Sequence, residues 1–254
     1  MTATRGRDRR PYLIFGAVSL ALLVLPVLDL IQASSTGTLR EYLAVDYDLY
    51  MEATRRWLAG GPFYEPYQLA GPYPITPGDI LYPPFALVLL VPFTVLPAIL
   101  WWAIPLAIVV VALVRIRPDP RLWPFLALCI VWPPTIVKLV TGNPVIWVVA
   151  AAAGGVLFAW PYVFVLLKPS LFPVALLGAR HRSWWIALGG LGLVALPFGS
   201  MWVDWVTTLV NSEGGGLLYS IQELPMVLLP VIAAIPIARW FEGRRRDRVA
   251  AAAA

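Results

Sequence analysis

Two carboxylates at alternate positions, Asp46 and Asp48, head the polar stretch AVDYDLYMEATRRWLAGG (residues 44–61) in a chain that is otherwise mostly apolar. A carboxylate held within hydrogen-bond reach of a hydroxyl can take its proton as that oxygen attacks an electrophile. Arg55 and Arg56, at the far end of the same stretch, carry the charge and donors that match a phosphate. Each feature also has a plainer use. Aspartates favour the first turn of a helix through its macrodipole, and arginines suit a solvated face against lipid headgroups; residue type does not choose between the two. Lys168 is a third candidate, inside the apolar run WPYVFVLLKPSLFPVALL (160–177), where an ammonium costs about 2.5 kcal/mol or more at a bilayer centre. It is either functional or paired with backbone carbonyls that Pro169 and Pro173 set free.

Other chemistries have no residues to carry them. The single histidine, His181, stands between Arg180 and Arg182, and the single cysteine, Cys129, lies in an apolar run. A His-based triad, an internal disulfide and a Cys/His zinc site are thereby excluded. No cofactor is identifiable, and a divalent metal stays open without a ligand cluster to hold it.

The elements that position these groups are membrane helices. With 60% hydrophobic and 13% charged residues and a mean hydropathy of +0.77, several runs approach the ~20 residues that cross a bilayer. Eight spans are expected, near 12–31, 80–97, 98–115, 121–138, 143–159, 160–179, 183–203 and 223–241. The residues 80–115 divide because one helix of that length would run about 54 Å, and Pro92, Pro97 and Pro105 interrupt it. The fold class is thus all-α, a polytopic membrane bundle, with residues 1–245 as one membrane-embedded domain and 246–254 as a tail.

The net charge of +5 gathers at the two ends, Arg5 to Arg10 and Arg239 to Arg248, which suits cytoplasmic flanks and argues against nucleic acid. Both termini are expected inside. That leaves 32–79 and 204–222 as the long external loops, Lys138 and Arg180–Arg182 inside, and RIRPDPR (115–121) outside against the charge rule. Within the first loop, Asp46 is expected to cap a helix running to Leu58 that ends at Gly60-Gly61. Leu49, Ala53 and Trp57 would form its apolar stripe, Glu52 and Arg56 an i, i+4 pair, and the helix would lie on the outer membrane surface. The turn TGNP (141–144) and the stretch LYPPF (81–85) read first as connections between spans.

Taken in order, DYDLY followed by WLAGGPFY, then YPPFALVLLVPFTVLP, GNP and LKPSLFP resemble the polyprenol-phosphate-mannose-dependent mannosyltransferases of glycosyltransferase family 87, within the C-type superfamily of multispan membrane enzymes. The resemblance covers roughly residues 40 to 180. It departs in the turn, which reads Gly142-Asn143-Pro144 where the family has Gly-Gln followed closely by Asn, and the chain is shorter than the family's usual length.

The resemblance implies a membrane glycosyltransferase that moves a sugar, mannose in that family, from a polyprenyl-phosphate donor to a hydroxyl on a lipid-linked or exported acceptor, with inversion. It places the catalytic base at Asp46, with Asp48 as runner-up, and the active site on the outer face of a prokaryotic plasma membrane. The candidate substrate-binding set is Tyr50, Arg55, Arg56, Tyr64, Tyr82, Lys168 and the external carboxylate Glu223. The bilayer, the lipid donor and a membrane partner supplying further spans are the expected partners. The rival reading is a non-catalytic scaffold of the same fold that binds polyprenyl phosphate.

Overall fold

A computed structural model describes residues 10–76, 78–213 and 217–236. Almost every element is a helix: α1 (Arg10–Ser35), α2 (Thr38–Tyr42), α3 (Val45–Leu58), α4 (Pro66–Ala70), α5 (Ala86–Phe93), α6 (Ile99–Ile116), α7 (Trp123–Val131), α8 (Pro133–Thr141), α9 (Val145–Phe158), α10 (Phe172–Ala175), α11 (Arg182–Ala195), α12 (Met201–Asn211) and α13 (Leu224–Ala233). The expected all-α class holds. Two-residue strands β1 (Tyr73–Pro74) and β2 (Ser212–Glu213) pair in parallel and tie the first long loop to the second.

Two helices are long and apolar enough to cross a membrane, Tyr12–Ser35 and Ile99–Ile116. The number rises to four if two bent pairs each count as one span: α7 with α8, bent by 56°, and α11 with α12, bent by 94°. α1 buries none of its apolar window; Leu13, Ile14, Leu20 and Ile31 lie open. A helix so apolar all round is stable in hydrocarbon and not in water.

Four of the eight expected spans are not helices of crossing length: 143–159 holds only Val145–Phe158 and the described part of 223–241 only Leu224–Ala233, while 80–97 and 160–179 are broken altogether. In 80–97 the helix is only Ala86–Phe93, about 12 Å long. Pro83 and Pro84 precede it, and Pro92 and Pro97 curtail it by withdrawing amide donors. In 160–179 the chain runs as 3-10 helix over Trp160–Leu167 and Pro169–Leu171, then as the single turn α10. Its two ends meet: a Cβ on Gly178 would stand 2.6 Å from the carbonyl oxygen of Ala159. Pro161, Pro169 and Pro173 interrupt the α-helical ladder, so an apolar run long enough to span turns back as an excursion with Lys168 near its tip. The 237–241 part of the last expected span and the basic tails at 5–9 and 239–248 lie outside the described residues.

The remaining helices run between two ends of the bundle. At one end the ring of Tyr12 meets Trp123 edge-on at 6.0 Å. Close by, Leu122, Leu126 and Cys129 pack with Leu113, Ile116, Leu229 and Ala233. The basic stretch 115–121 therefore shares the end of the bundle where α1 begins, not the opposite end expected for it. At the other end, the Trp101 and Trp102 indoles donate to the carbonyls of Gly142 and Leu139, each at 2.7 Å. There Asn211 Nδ2 also reaches the Gln68 carbonyl at 2.9 Å. Lys138, expected at the N-terminal end, lies at this second end instead, because 80–97 does not cross and α6 and then α7 with α8 run opposite to the expected directions.

Candidate active site

The site starts from how α3 begins. The expected Asp46 cap is not used. Ala44 is the N-cap, in the left-handed region at φ 66°, a conformation that costs a non-glycine residue roughly 1–2 kcal/mol. Its N–H donates to the Val140 carbonyl at 3.0 Å, which pins the start of α3 to the end of α8. With the cap supplied by backbone, the Asp46 side chain is released to face a neighbour. Its Oδ2 accepts from Thr141 Oγ1 and from Asn143 Nδ2, both at 2.8 Å. Among the described residues nothing donates to its Oδ1.

Asn143 is held so that its amide can face only this way. Its Oδ1 accepts from the Tyr82 hydroxyl at 2.9 Å and from the Val145 N–H at 3.1 Å. Two donors on one atom identify it as the oxygen and leave the NH2 to Asp46. The preceding Gly142 ends α8 at φ 71°. A Cβ there would meet Trp102 at 2.5 Å and Tyr47 at 2.9 Å, so glycine is required both for the turn and for the aromatic packing. The TGNP turn, a connection on sequence grounds, is thus the wall that positions Asp46.

Lys168 approaches from the excursion. Its Nζ lies 2.6 Å from both carboxylate oxygens of Glu223 and 5.9 Å from the centre of the Tyr82 ring. It is close enough to Asp46 and Lys138 for their charges to act on it. Lys138 Nζ stands 4.0 Å from the same glutamate. Glu223 is 1% exposed, and an isolated carboxylate so enclosed would be strongly unfavourable. The hydroxyls of Ser170 and Ser220 bond to one another beside this group, joining the tip of the excursion to the segment before α13. Two carboxylates and two ammoniums, from four separate parts of the chain, therefore gather round Tyr82.

The other expected site residues are placed differently. Tyr50 is buried and stacks edge-on against Tyr82 at 5.4 Å; Tyr64 is buried and donates to the Tyr82 carbonyl at 3.0 Å. Both support Tyr82 from behind. Asp48 is exposed on another face of α3. Arg55 reaches the Thr94 carbonyl at 3.3 Å. Arg56 does not pair with Glu52: its guanidinium binds Glu65 at 2.7 Å and the carbonyls of Pro62 and Phe63 at 2.7 and 3.1 Å, closing the loop after α3. Nor is the buried face of α3 the Leu49–Ala53–Trp57 stripe. Of that stripe Ala53 alone is fully buried; the buried face runs through Tyr47, Tyr50, Met51, Ala53 and Thr54, so the helix packs into the protein core and does not simply lie on a surface.

Three members of the cluster, Lys138, Thr141 and Asn143, were not among the expected site residues. The readable signal was that Thr135, Lys138 and Thr141 recur every three residues in an apolar segment, a polar stripe on one helix face. Among the described residues no group of three or more His, Cys, Asp or Glu side chains could hold a metal ion. Two cavities, of about 380 Å³ at Tyr162 and His181 and about 370 Å³ between α1 and α7, are lined by none of the residues round Asp46. Comparison with known protein families, with curated proteins and with solved structures found no match.

Proposed function

We propose that the chain is a membrane glycosyltransferase that moves a sugar, mannose by the resemblance of its motifs, from a polyprenyl-phosphate donor to a hydroxyl of a lipid-linked or exported acceptor. The observation that carries this reading is the state of Asp46: one carboxylate oxygen held by Thr141 and Asn143, the other without a donor. That is how a general base is prepared, oriented through one oxygen and open at the other. A second support is convergence, since DYDLY, YPPF, TGN and LKPS all send side chains to the same cluster: Asp46, Tyr82, Thr141 with Asn143, and Lys168.

In the reaction, the acceptor oxygen attacks the anomeric carbon while Asp46 Oδ1 takes the hydroxyl proton. The bond from the anomeric carbon to the phosphate oxygen breaks, and its electron pair leaves with the polyprenyl phosphate. A single displacement of this kind inverts the anomeric centre. Lys168 and Lys138 supply positive charge for the departing phosphate. A bilayer-embedded tail would deliver that phosphate at the membrane boundary, with Asp46 on the outer face.

The test is transfer of labelled sugar from a synthetic polyprenyl phosphate sugar by the purified protein. Asp46→Asn is expected to lower the rate by about 10²-fold or more, and Asp48→Asn to leave it within about threefold, as for an exposed side chain outside the cluster. Undiminished transfer by Asp46→Asn removes Asp46 as the base. The alternative is a non-catalytic scaffold of the same fold; binding of polyprenyl phosphate without turnover on any donor would establish it.

A further inference from the structure

The ion cluster at Lys168 brings two ammoniums to one buried carboxylate, Glu223, with Asp46 the second carboxylate near enough to act on Lys168. Glu223 is shared between two lysines, with both of its oxygens 2.6 Å from Lys168 Nζ and one 4.0 Å from Lys138 Nζ. The contact is lopsided: Oε1 accepts a hydrogen bond, whereas Oε2, although equally near, has no bond of good geometry. Exposure is lopsided too, with 12% and 19% of the Lys168 and Lys138 side chains reachable but only 1% of Glu223. An anion arriving from outside meets ammoniums first. Several charged groups face this place from the packed elements: Asp46 from α3, Lys138 from α8, Lys168 from the excursion and Glu223 from the start of α13.

We propose that Lys138 and Lys168 form a phosphate site and that the Glu223 carboxylate occupies it as an internal competitor until a lipid phosphate displaces it. The proposal rests on the transferase reading for the identity of the lipid and adds to it a resident counter-ion that the lipid must displace. The chemistry is a phosphate monoester or diester with oxygens spaced to bridge two ammoniums, which a single carboxylate at 2.6 and 4.0 Å does unequally.

The experiment measures binding of farnesyl phosphate to the purified full chain in detergent, with inorganic phosphate and farnesol as parallel probes. Removal of the competitor in Glu223→Gln is expected to tighten farnesyl phosphate about tenfold, and Lys138→Met, which keeps the Lys168–Glu223 pair, to weaken it about tenfold. Should Glu223→Gln fail to fold, Glu223→Asp keeps the charge while drawing it back from Lys168, and tightening of a few-fold is expected. A purely structural ion pair gives the opposite sign, and weaker or unchanged binding in a folded Glu223 variant overturns the proposal, as does unchanged binding in Lys138→Met. Inorganic phosphate binding as tightly as farnesyl phosphate would overturn the lipid assignment, and farnesol binding as tightly would overturn the phosphate site itself. Tightening without any sugar transfer refutes the transferase and leaves the site standing; transfer with no change in affinity does the reverse.

Discussion

Exchanging the two partners at the Asp46–Asn143 contact puts the site geometry to a quantitative test. In Asn143→Asp the Tyr82 hydroxyl and the Val145 N–H keep their acceptor, but the amide donor 2.8 Å from Asp46 Oδ2 becomes a second carboxylate oxygen. The lost charge-assisted bond contributes about 1.5–3 kcal/mol. Repulsion between two carboxylates about 4 Å apart adds up to about 4 kcal/mol at an effective dielectric of 20, and less because Asp46 is only half-buried. A net destabilisation of about 2–4 kcal/mol is expected. The double variant Asp46→Asn, Asn143→Asp restores the pattern in reverse: the amide nitrogen now at the Oδ2 position donates to the carboxylate on residue 143, and the Thr141 hydroxyl beside it turns from donor to acceptor. It should recover at least about half of the loss, a coupling well above the ~0.5 kcal/mol of independent sites, without recovering transfer. Unfolding followed by tryptophan fluorescence reads both quantities. A double variant no more stable than Asn143→Asp alone would refute the assigned bond directions, and with them the claim that one oxygen of Asp46 is held and the other open.

Three further outcomes test the backbone and the burial elsewhere. Gly142→Ala should lose about 2–4 kcal/mol, from the left-handed backbone and from overpacking against Trp102 and Tyr47. Gly37→Ala, at φ 82° with open space around it, should lose only about 1 kcal/mol in the same unfolding assay. Burial, reinforced by the hydrogen bond to Asp79, raises the Tyr67 hydroxyl above its ordinary 10.0, and burial also raises Tyr64 and Tyr73. A raised value favours the protonated form in the folded protein. The stability these groups contribute is therefore complete below pH 10 and falls as pH rises beyond it; tyrosinate absorbance in the folded state should lag behind that of the denatured chain, and equal titration of the two would contradict the burial.

The sequence carried the helical class and the extent of α3 to Leu58, because both depend on neighbours a few residues apart; the preference for Asp46 over Asp48 came from the motif resemblance alone. What it hid were paths and pairings. The stretches 80–97 and 160–179 are as apolar as any span, but apolarity reports where side chains end up and not whether the backbone goes straight; the prolines at 92, 97, 161, 169 and 173 decide that, and their joint effect depends on what receives the freed carbonyls. Lys138 was placed by counting cations, yet its charge is answered by Glu223 from the far side of the chain. Thr141 and Asn143 looked like turn residues because they are turn residues; that they also hold Asp46 follows only from Ala44 docking on Val140.

The pairing of Lys168 with Glu223 also sets a timetable. The lysine leaves the ribosome 55 residues before its counter-ion, an interval of about 3–11 s at ordinary synthesis rates. Throughout it, the nascent excursion carries an ammonium whose nearest emerged carboxylate in the finished cluster is Asp46. Burial of the tip therefore waits on the synthesis of Glu223, and a chain released before that residue has a reason to be recognised as unfinished: its lysine has nowhere dry to go.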